Sequence, residues 1–357
     1  MNVYGVIMAG GGGTRFWPLS RQNKPKQLLN LTGKDLMINE AIDRLSFTAP
    51  KKDIFIVTNK TQVQPMLQAT HGRIFPDHIL AEPSGRNTAA CIGYAAMQIW
   101  KNHGDGIMVV TPSDAFIRET ELFTKALEAA VNAAKQNKLV TIGIAPTYPS
   151  TAYGYIKYKK EEKVQACPVI AFREKPDADT ARSYIDSGLY AWNSGMFIWK
   201  VSLILQMFQK YLPDIYVNLC KIGEAMGTSD EYNVIEAVYP LIRKISIDYG
   251  IMEPCAADGD VLVVPGEFGW NDVGSWDMMD VLHQTDDEGN IAVGDTLSID
   301  TKDTTICASG RLIATVGVEN LIIVETKDVV MVCPKERAQD VRLIVEKLQM
   351  ERRREVL

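Results

Sequence analysis

Between Gly10 and Lys26 the chain gathers residue types suited to one kind of chemistry: Gly10, Gly11, Gly12 and Gly13 in a row, then Thr14 and Arg15, then Lys24 and Lys26 on either side of Pro25. Glycines let a backbone turn with positive φ and let a ligand approach main-chain N–H groups closely. The arginine and lysines set positive charge beside those amides. Together they suit a polyphosphate. Two better-known phosphate loops fail on spacing. Counted from Gly10 and Gly12, the third glycine of the dinucleotide fingerprint falls on Arg15, and no Gly-Lys-Ser/Thr closes a P-loop. A plain turn is the alternative, and the number of chemically suited positions argues against it.

Further candidates follow at intervals. A short strand, 79–81, delivers E-P-S-G-R-N-T, in which Glu82, Asn87 and Thr88 form a candidate wall for a nucleotide base; Asn87 also suits the N-cap of the next helix. The apolar run 106–111 ends in P-S-D, placing Asp114 where a carboxylate holds Mg²⁺ beside phosphates. Asp272, in W-N-D-V-G-S-W, is a second metal carboxylate, although Asn-Asp near Gly is also turn chemistry. Three segments suit a sugar phosphate. T-A-Y-G-Y-I sets Gly154 between aromatic residues, F-R-E-K-P couples Glu174 to Lys175, and W-N-S-G-M-F supplies the Asn193 amide. Each alone could be a core strand or a turn; their order carries the reading.

Composition bounds the classes. A chain of 357 residues, 46% hydrophobic and 23% charged, suits a globular protein of two domains. A formal charge of −6 argues against a nucleic-acid surface. No apolar run reaches a membrane span, and the apolar start lacks a basic n-region, so a cytoplasmic protein is expected. Cys91, Cys167, Cys220, Cys255, Cys307 and Cys333 are widely spaced with no C-x-x-C, which reads as reduced core thiols.

The elements that must position these residues alternate. A strand at 3–9, a helix capped by Asp35, a strand at 54–58, a helix at 61–70 and a helix at 87–102 lead to the strand 106–111. That rhythm predicts an α/β fold, a Rossmann-like doubly wound mixed sheet with ligands at the carboxyl ends of its strands. From Ile291 to Val332 the chain turns rich in Val, Ile and Thr with spaced glycines, predicting a small C-terminal β domain, with a partial left-handed β-helix as one architecture. Pro334 is expected at the first position of a closing amphipathic helix. The expected boundary puts a catalytic domain at 1–283 and the β domain with its helix at 284–357.

The ordered set of motifs, spanning roughly 3–276, resembles the sugar-1-phosphate nucleotidyltransferases. W-P-L-S at 17–20, P-K-Q at 25–27, E-P-S-G-R-N-T and I-S-I-D-Y-G-I-M-E at 245–253 resemble the mannose-1-phosphate guanylyltransferase branch. The resemblance implies transfer of GMP from GTP to mannose 1-phosphate, with Mg²⁺ as cofactor and no covalent intermediate. It implies Arg15 on the leaving phosphates, Lys26 on the α-phosphate, Lys175 on the sugar phosphate, and Asp114 with Asp272 around the metal. Guanine's N1–H and N2 amino donors suit Glu82 or main-chain carbonyls. Ala115 stands where the family often has His. The chain is too short for the isomerase domain of some relatives, so a monofunctional enzyme is expected, with dimerisation through the C-terminal region as one possibility. Two other readings stay open: a nucleotidyltransferase for another sugar 1-phosphate, and a silent regulatory binder of GDP-mannose.

Overall fold

A computed structural model describes residues 1–160 and 165–357. The chain forms two compact units, one of residues 1–10, 41–113 and 117–270, the other of 11–40, 114–116 and 271–357.

The first unit is built on a nine-stranded sheet. In chain order its strands are β1 (Val3–Met8), β2 (Ile54–Asn59), β3 (Ile79–Glu82), β4 (Ile107–Pro112), β5 (Leu139–Ile144), β6 (Gly154–Tyr158), β7 (Cys167–Glu174), β8 (Tyr190–Lys200) and β9 (Val261–Gly266). They lie in the order β3-β2-β1-β4-β8-β5-β9-β7-β6. β1 to β4 are parallel, as are β5 and β9, and β8 runs antiparallel between the two sets. The sheet is therefore mixed and doubly wound, as the alternation predicts. Tyr4, Val6, Ile7 and Val109 to Val110 are all buried, because helices cover both faces and leave no polar side to alternate with. The loops after β1, β3 and β4 leave from one edge, which is where a parallel sheet collects its ligand-binding residues.

Register builds a second cluster at β5, β6, β7 and β8. Gly154 lies opposite Glu174, Trp192 opposite both Tyr155 and Ile144, and Asn193 opposite Gly143. Residues of four strands separated in sequence are thus neighbours by pairing alone.

The second unit wraps the glycine loop's continuation around a β domain. Strands β10 (Ile291–Val293), β12 (Thr305–Ala308) and β14 (Leu321–Glu325) stack in parallel, and β15 (Val330–Pro334) closes them antiparallel. β11 (Thr296–Ile299) pairs in parallel with β13 (Ile313–Val316). Successive parallel coils of this kind make the β domain helical in the β sense. At the end of β14, Glu325 Oε2 accepts from the N–H groups of Ser309 at 2.9 Å, Gly310 at 3.1 Å and Arg311 at 3.4 Å, which fixes the turn after β12. The core of the domain joins Ile291, Ile322, Val324 and Met331 to Val341, Val345 and Leu348 of the closing helix, and to Phe16, Trp17 and Trp276. Trp17 Nε1 donates to the Val356 carbonyl at 2.8 Å and Trp276 Nε1 to the Trp17 carbonyl at 3.0 Å, tying chain start to chain end.

Four local expectations shift. Pro334 ends β15 instead of opening the helix; a 3₁₀ turn, Lys335–Asp340, intervenes and the helix is Val341–Met350. The helix expected at 61–70 is Val63–Ala69, because Asn59 accepts from Thr61 N and holds the start in a turn. Asp35 accepts from Leu36 N and Asn39 Nδ2, and the helix begins at Met37. Asn87 is not the cap: Arg86 holds that position, while Asn87 has φ of 67° and accepts from Thr88 N. All six cysteines are free.

Candidate active site

Two of the glycine loop's carbonyls are tied inward. Gln27 Nε2 donates to Gly11 O at 3.2 Å, and Ser20 Oγ and Phe16 N donate to Gly13 O at 2.7 and 2.9 Å. Among the described residues the N–H groups of Gly11, Gly12 and Gly13 have no partner, and an added Cβ at Gly11 or Gly12 would meet nothing. Those amides are available to an anion. Gly13 itself has φ of 61°, and a Cβ there would sit 2.9 Å from Lys26 N, so only glycine lets the loop and the lysine approach.

Lys26 is the hub of this half. Its residue is 4% exposed, yet Nζ donates to Asp114 Oδ2 at 2.9 Å, to Asp114 O at 3.2 Å and to Asp272 O at 2.7 Å. Charge-assisted bonds contribute about 1.5–3 kcal/mol each, and a buried ammonium needs that satisfaction. The sequence-predicted Lys26, Asp114 and Asp272 are thus brought together. Val273, next to Asp272, has φ of 45°, an unfavourable region for a β-branched residue; Asn271 Oδ1 holds its N–H at 2.7 Å. Arg15 lies beside Gly274, and its Nη1 donates to Gln339 Oε1 at 3.1 Å. Ala115 is buried, so no imidazole supports Asp114 from that position.

Among the described residues no group of three or more His, Cys, Asp or Glu side chains forms a cage. Two carboxylate residues sharing one lysine are a different design. All-oxygen donors suit a hard cation, and Mg²⁺ commonly takes one or two carboxylates with substrate phosphates completing its shell. The donor set of Asp114 and Asp272 fits that ion.

In the first unit, Glu82 ends β3 and is buried. Its Oε1 accepts from Tyr239 and its Oε2 lies 3.1 Å from where a Cβ on Gly10 would be. Burial raises its pKa, against the lowering effect of the Tyr239 bond. Thr88 Oγ1 accepts from Ile247 N at 2.9 Å, so Thr88 braces the I-S-I-D segment. Ser84 Oγ and Arg86 Nε are buried without a protein partner among the described residues. Both polar atoms were missed from sequence, where nothing separates them from an ordinary turn.

The sugar-type motifs also meet in this unit. Lys175 Nζ donates to Glu174 Oε1 at 2.6 Å, and a Cβ on Gly154 would collide with Glu174 Oε2. Burial would lower the Lys175 pKa, but Glu174, Asp248 and Tyr249 outweigh it and the value is raised. Asn193 Nδ2 donates to Asp248 Oδ1 at 2.9 Å. Tyr153 packs against both Trp192 and Trp270, with centroids at 5.0 and 5.5 Å. Asp248, in a π-helical turn (Asp248–Met252), and Gln339 are the further residues sequence reasoning did not assign.

The nucleotidyl transferase family matches residues 4–288, and the MannoseP isomerase/GMP-like β-helix domain matches 294–348. The chain belongs to the nucleotidyl transferase family. Within that family it is similar to the xanthan biosynthesis protein XanB of Xanthomonas campestris, at 40% identity over 97% of this chain and 73% of the relative. It is 37% identical to the mannose-1-phosphate guanylyltransferase of Escherichia coli, over 99% of this chain and 75% of the relative. A solved structure described as mannose-1-phosphate geranyltransferase from Thermus thermophilus superposes with a TM-score of 0.88 at 32% identity, covering 98% of this chain and 100% of that one. Among the described residues no helix is long and apolar enough to cross a membrane.

Proposed function

We propose that the chain is a mannose-1-phosphate guanylyltransferase, converting GTP and α-D-mannose 1-phosphate to GDP-mannose and pyrophosphate. Near-full-length identity of 37% to curated mannose-1-phosphate guanylyltransferases supports the activity. The single structural observation that carries it is Lys26, buried and held by Asp114 and Asp272 in the same unit as the unpartnered loop amides.

The chemistry is in-line displacement at the α-phosphorus by an oxygen of the sugar phosphate. No general base is required, because that oxygen is already ionised. The difficulty is bringing two anions together: one pair of unit charges about 4 Å apart repels by about 4 kcal/mol at an effective dielectric of about 20. Preorganised donors offset this most where charge develops. The amides of Gly11 to Gly13 with Thr14 cradle the triphosphate, Arg15 holds the departing β- and γ-phosphates, and Lys26 meets the α-phosphate. Lys175 holds the sugar phosphate, Glu174 and Asn193 take sugar hydroxyls, and Gly154, whose missing side chain lets Glu174 come close, lies against the ring. Glu82, Asn87 and Thr88 form the base wall. Asp114 and Asp272 would hold Mg²⁺, which when bound polarises phosphate oxygens. Cytoplasmic location, the catalytic span 1–283 and a dimer through the C-terminal region belong to the same proposal.

The test is pyrophosphate release with Mg²⁺ across GTP, ATP, UTP and dTTP against mannose, glucose and N-acetylglucosamine 1-phosphates. One dominant response, for GTP with mannose 1-phosphate, is expected. A dominant response elsewhere moves the specificity, and silence from folded protein removes the enzyme reading.

A further inference from the structure

Asn193 has little freedom. Its Oδ1 accepts from Gly195 N at 3.2 Å, and a main-chain N–H can only donate, so that face of the amide is the oxygen. The Thr141 hydroxyl, fully buried, lies 3.2 Å from the same oxygen and 3.0 Å from the Met196 carbonyl. The Nδ2 group therefore points the other way, and one of its two hydrogens goes to Asp248 Oδ1. One N–H is left over.

We infer that Asp248 is a positioning residue: by accepting from Asn193 Nδ2 it locks the amide, so that Asn193 meets the sugar only as a single N–H donor. This rests on the function proposed above, with Asn193 at the sugar. Asp248 acts through Asn193 and through the charge balance around Lys175. Burial and then the neighbouring Glu174 push its carboxyl up to about 7, with Lys175 and Asn193 pulling against them. Glu174 and Lys175 at the end of β7 and Asn193 in β8 face it. Tyr249 follows it in the π-helical turn; Glu253, at the turn's end, accepts from Glu174 N at 3.3 Å and has Arg173 nearby.

The sign of the pH effect follows. A sugar phosphate arriving at Lys175 adds negative charge close to Asp248 and favours its protonated form. Binding then takes up a proton, and KM for the sugar phosphate rises as pH climbs through about 7.

The experiment measures kcat and both KM values from pH 6 to pH 9 for wild type, Asp248→Asn and Asp248→Ala. The asparagine variant keeps an acceptor oxygen for Asn193 but cannot titrate, so its sugar-phosphate KM should stay near the wild-type acid-side value and lie flat with pH. Asp248→Ala, which also cannot titrate, should lie flat with pH at about tenfold above the wild-type acid-side KM, with KM for GTP within about twofold, as loss of a hydrogen bond to the positioned amide would do. The inference is overturned if Asp248→Ala leaves the sugar-phosphate KM within about twofold, or if Asp248→Asn keeps the wild-type pH dependence. Should the alanine variant fail to fold by near-UV circular dichroism, the asparagine profile decides. Wild-type turnover in the same panel tests the reaction itself; the variant-to-wild-type ratios test Asp248 on whichever sugar 1-phosphate the wild type uses.

Discussion

Lys26 and Lys175 are both assigned to phosphates, yet the chain holds them in opposite ways. Lys26 has a side chain only 6% exposed and three acceptors within 3.2 Å, whereas Lys175 is 59% exposed and bonded to one carboxylate. A buried ammonium held by three acceptors has one position and costs little reorganisation when charge develops beside it. An exposed one can swing, and suits a substrate that must enter and leave. Under the proposed function, the contrast makes the second unit's lysine a rigid electrostatic group and the first unit's an adjustable capture group.

The largest effect should come from the rigid side. Lys26→Met is expected to lower kcat by on the order of 10²–10³, as removal of a preorganised donor does, with both KM values changed far less. A fall in sugar-phosphate affinity alone would show that the two lysines are interchangeable. Asp272→Asn should cost on the order of 10² in turnover at limiting Mg²⁺ and less at saturation; insensitivity to Mg²⁺ concentration would remove its metal role. Lys175→Met should raise KM for the sugar phosphate about tenfold while leaving GTP binding alone. A selective loss of GTP binding would reassign it. Gly13→Ala forces a side chain at positive φ against Lys26 and should destabilise by about 1–3 kcal/mol in urea unfolding; equal stability would mean the loop is not rigid. The smallest effect is at Glu82. Its pKa is raised in the folded state, so folding stability falls as pH rises from the unfolded carboxylate value through the folded one. Glu82→Gln should flatten that slope in melts from pH 4 to pH 9, and an unchanged slope would show that another group causes it.

How legible was this in the sequence? The alternating runs pointed to the mixed sheet because buried parallel strands need unbroken apolar stretches, and Ile107 to Val110 is one. The glycine loop was legible because its chemistry is local. Asp248 and Gln339 were not, because their partners lie far away in the chain: Asn193 and Asp248 meet across a strand and a π-helical turn, and Arg15 meets Gln339 from nearly the opposite terminus. No periodicity records such pairs. Asn87 failed differently, since an Asn before an apolar run fits both a cap and a left-handed turn, and the chain uses the second.

The turn that Glu325 fixes gives the glycine loop a counterpart. Three successive main-chain N–H groups, of Ser309, Gly310 and Arg311, converge there on one carboxylate oxygen. This is an anion receptor already occupied by a tethered guest. For protein engineering, truncating that side chain would vacate a ready-made oxyanion pocket in the β domain, a starting point for a sensor module separate from the glycine loop.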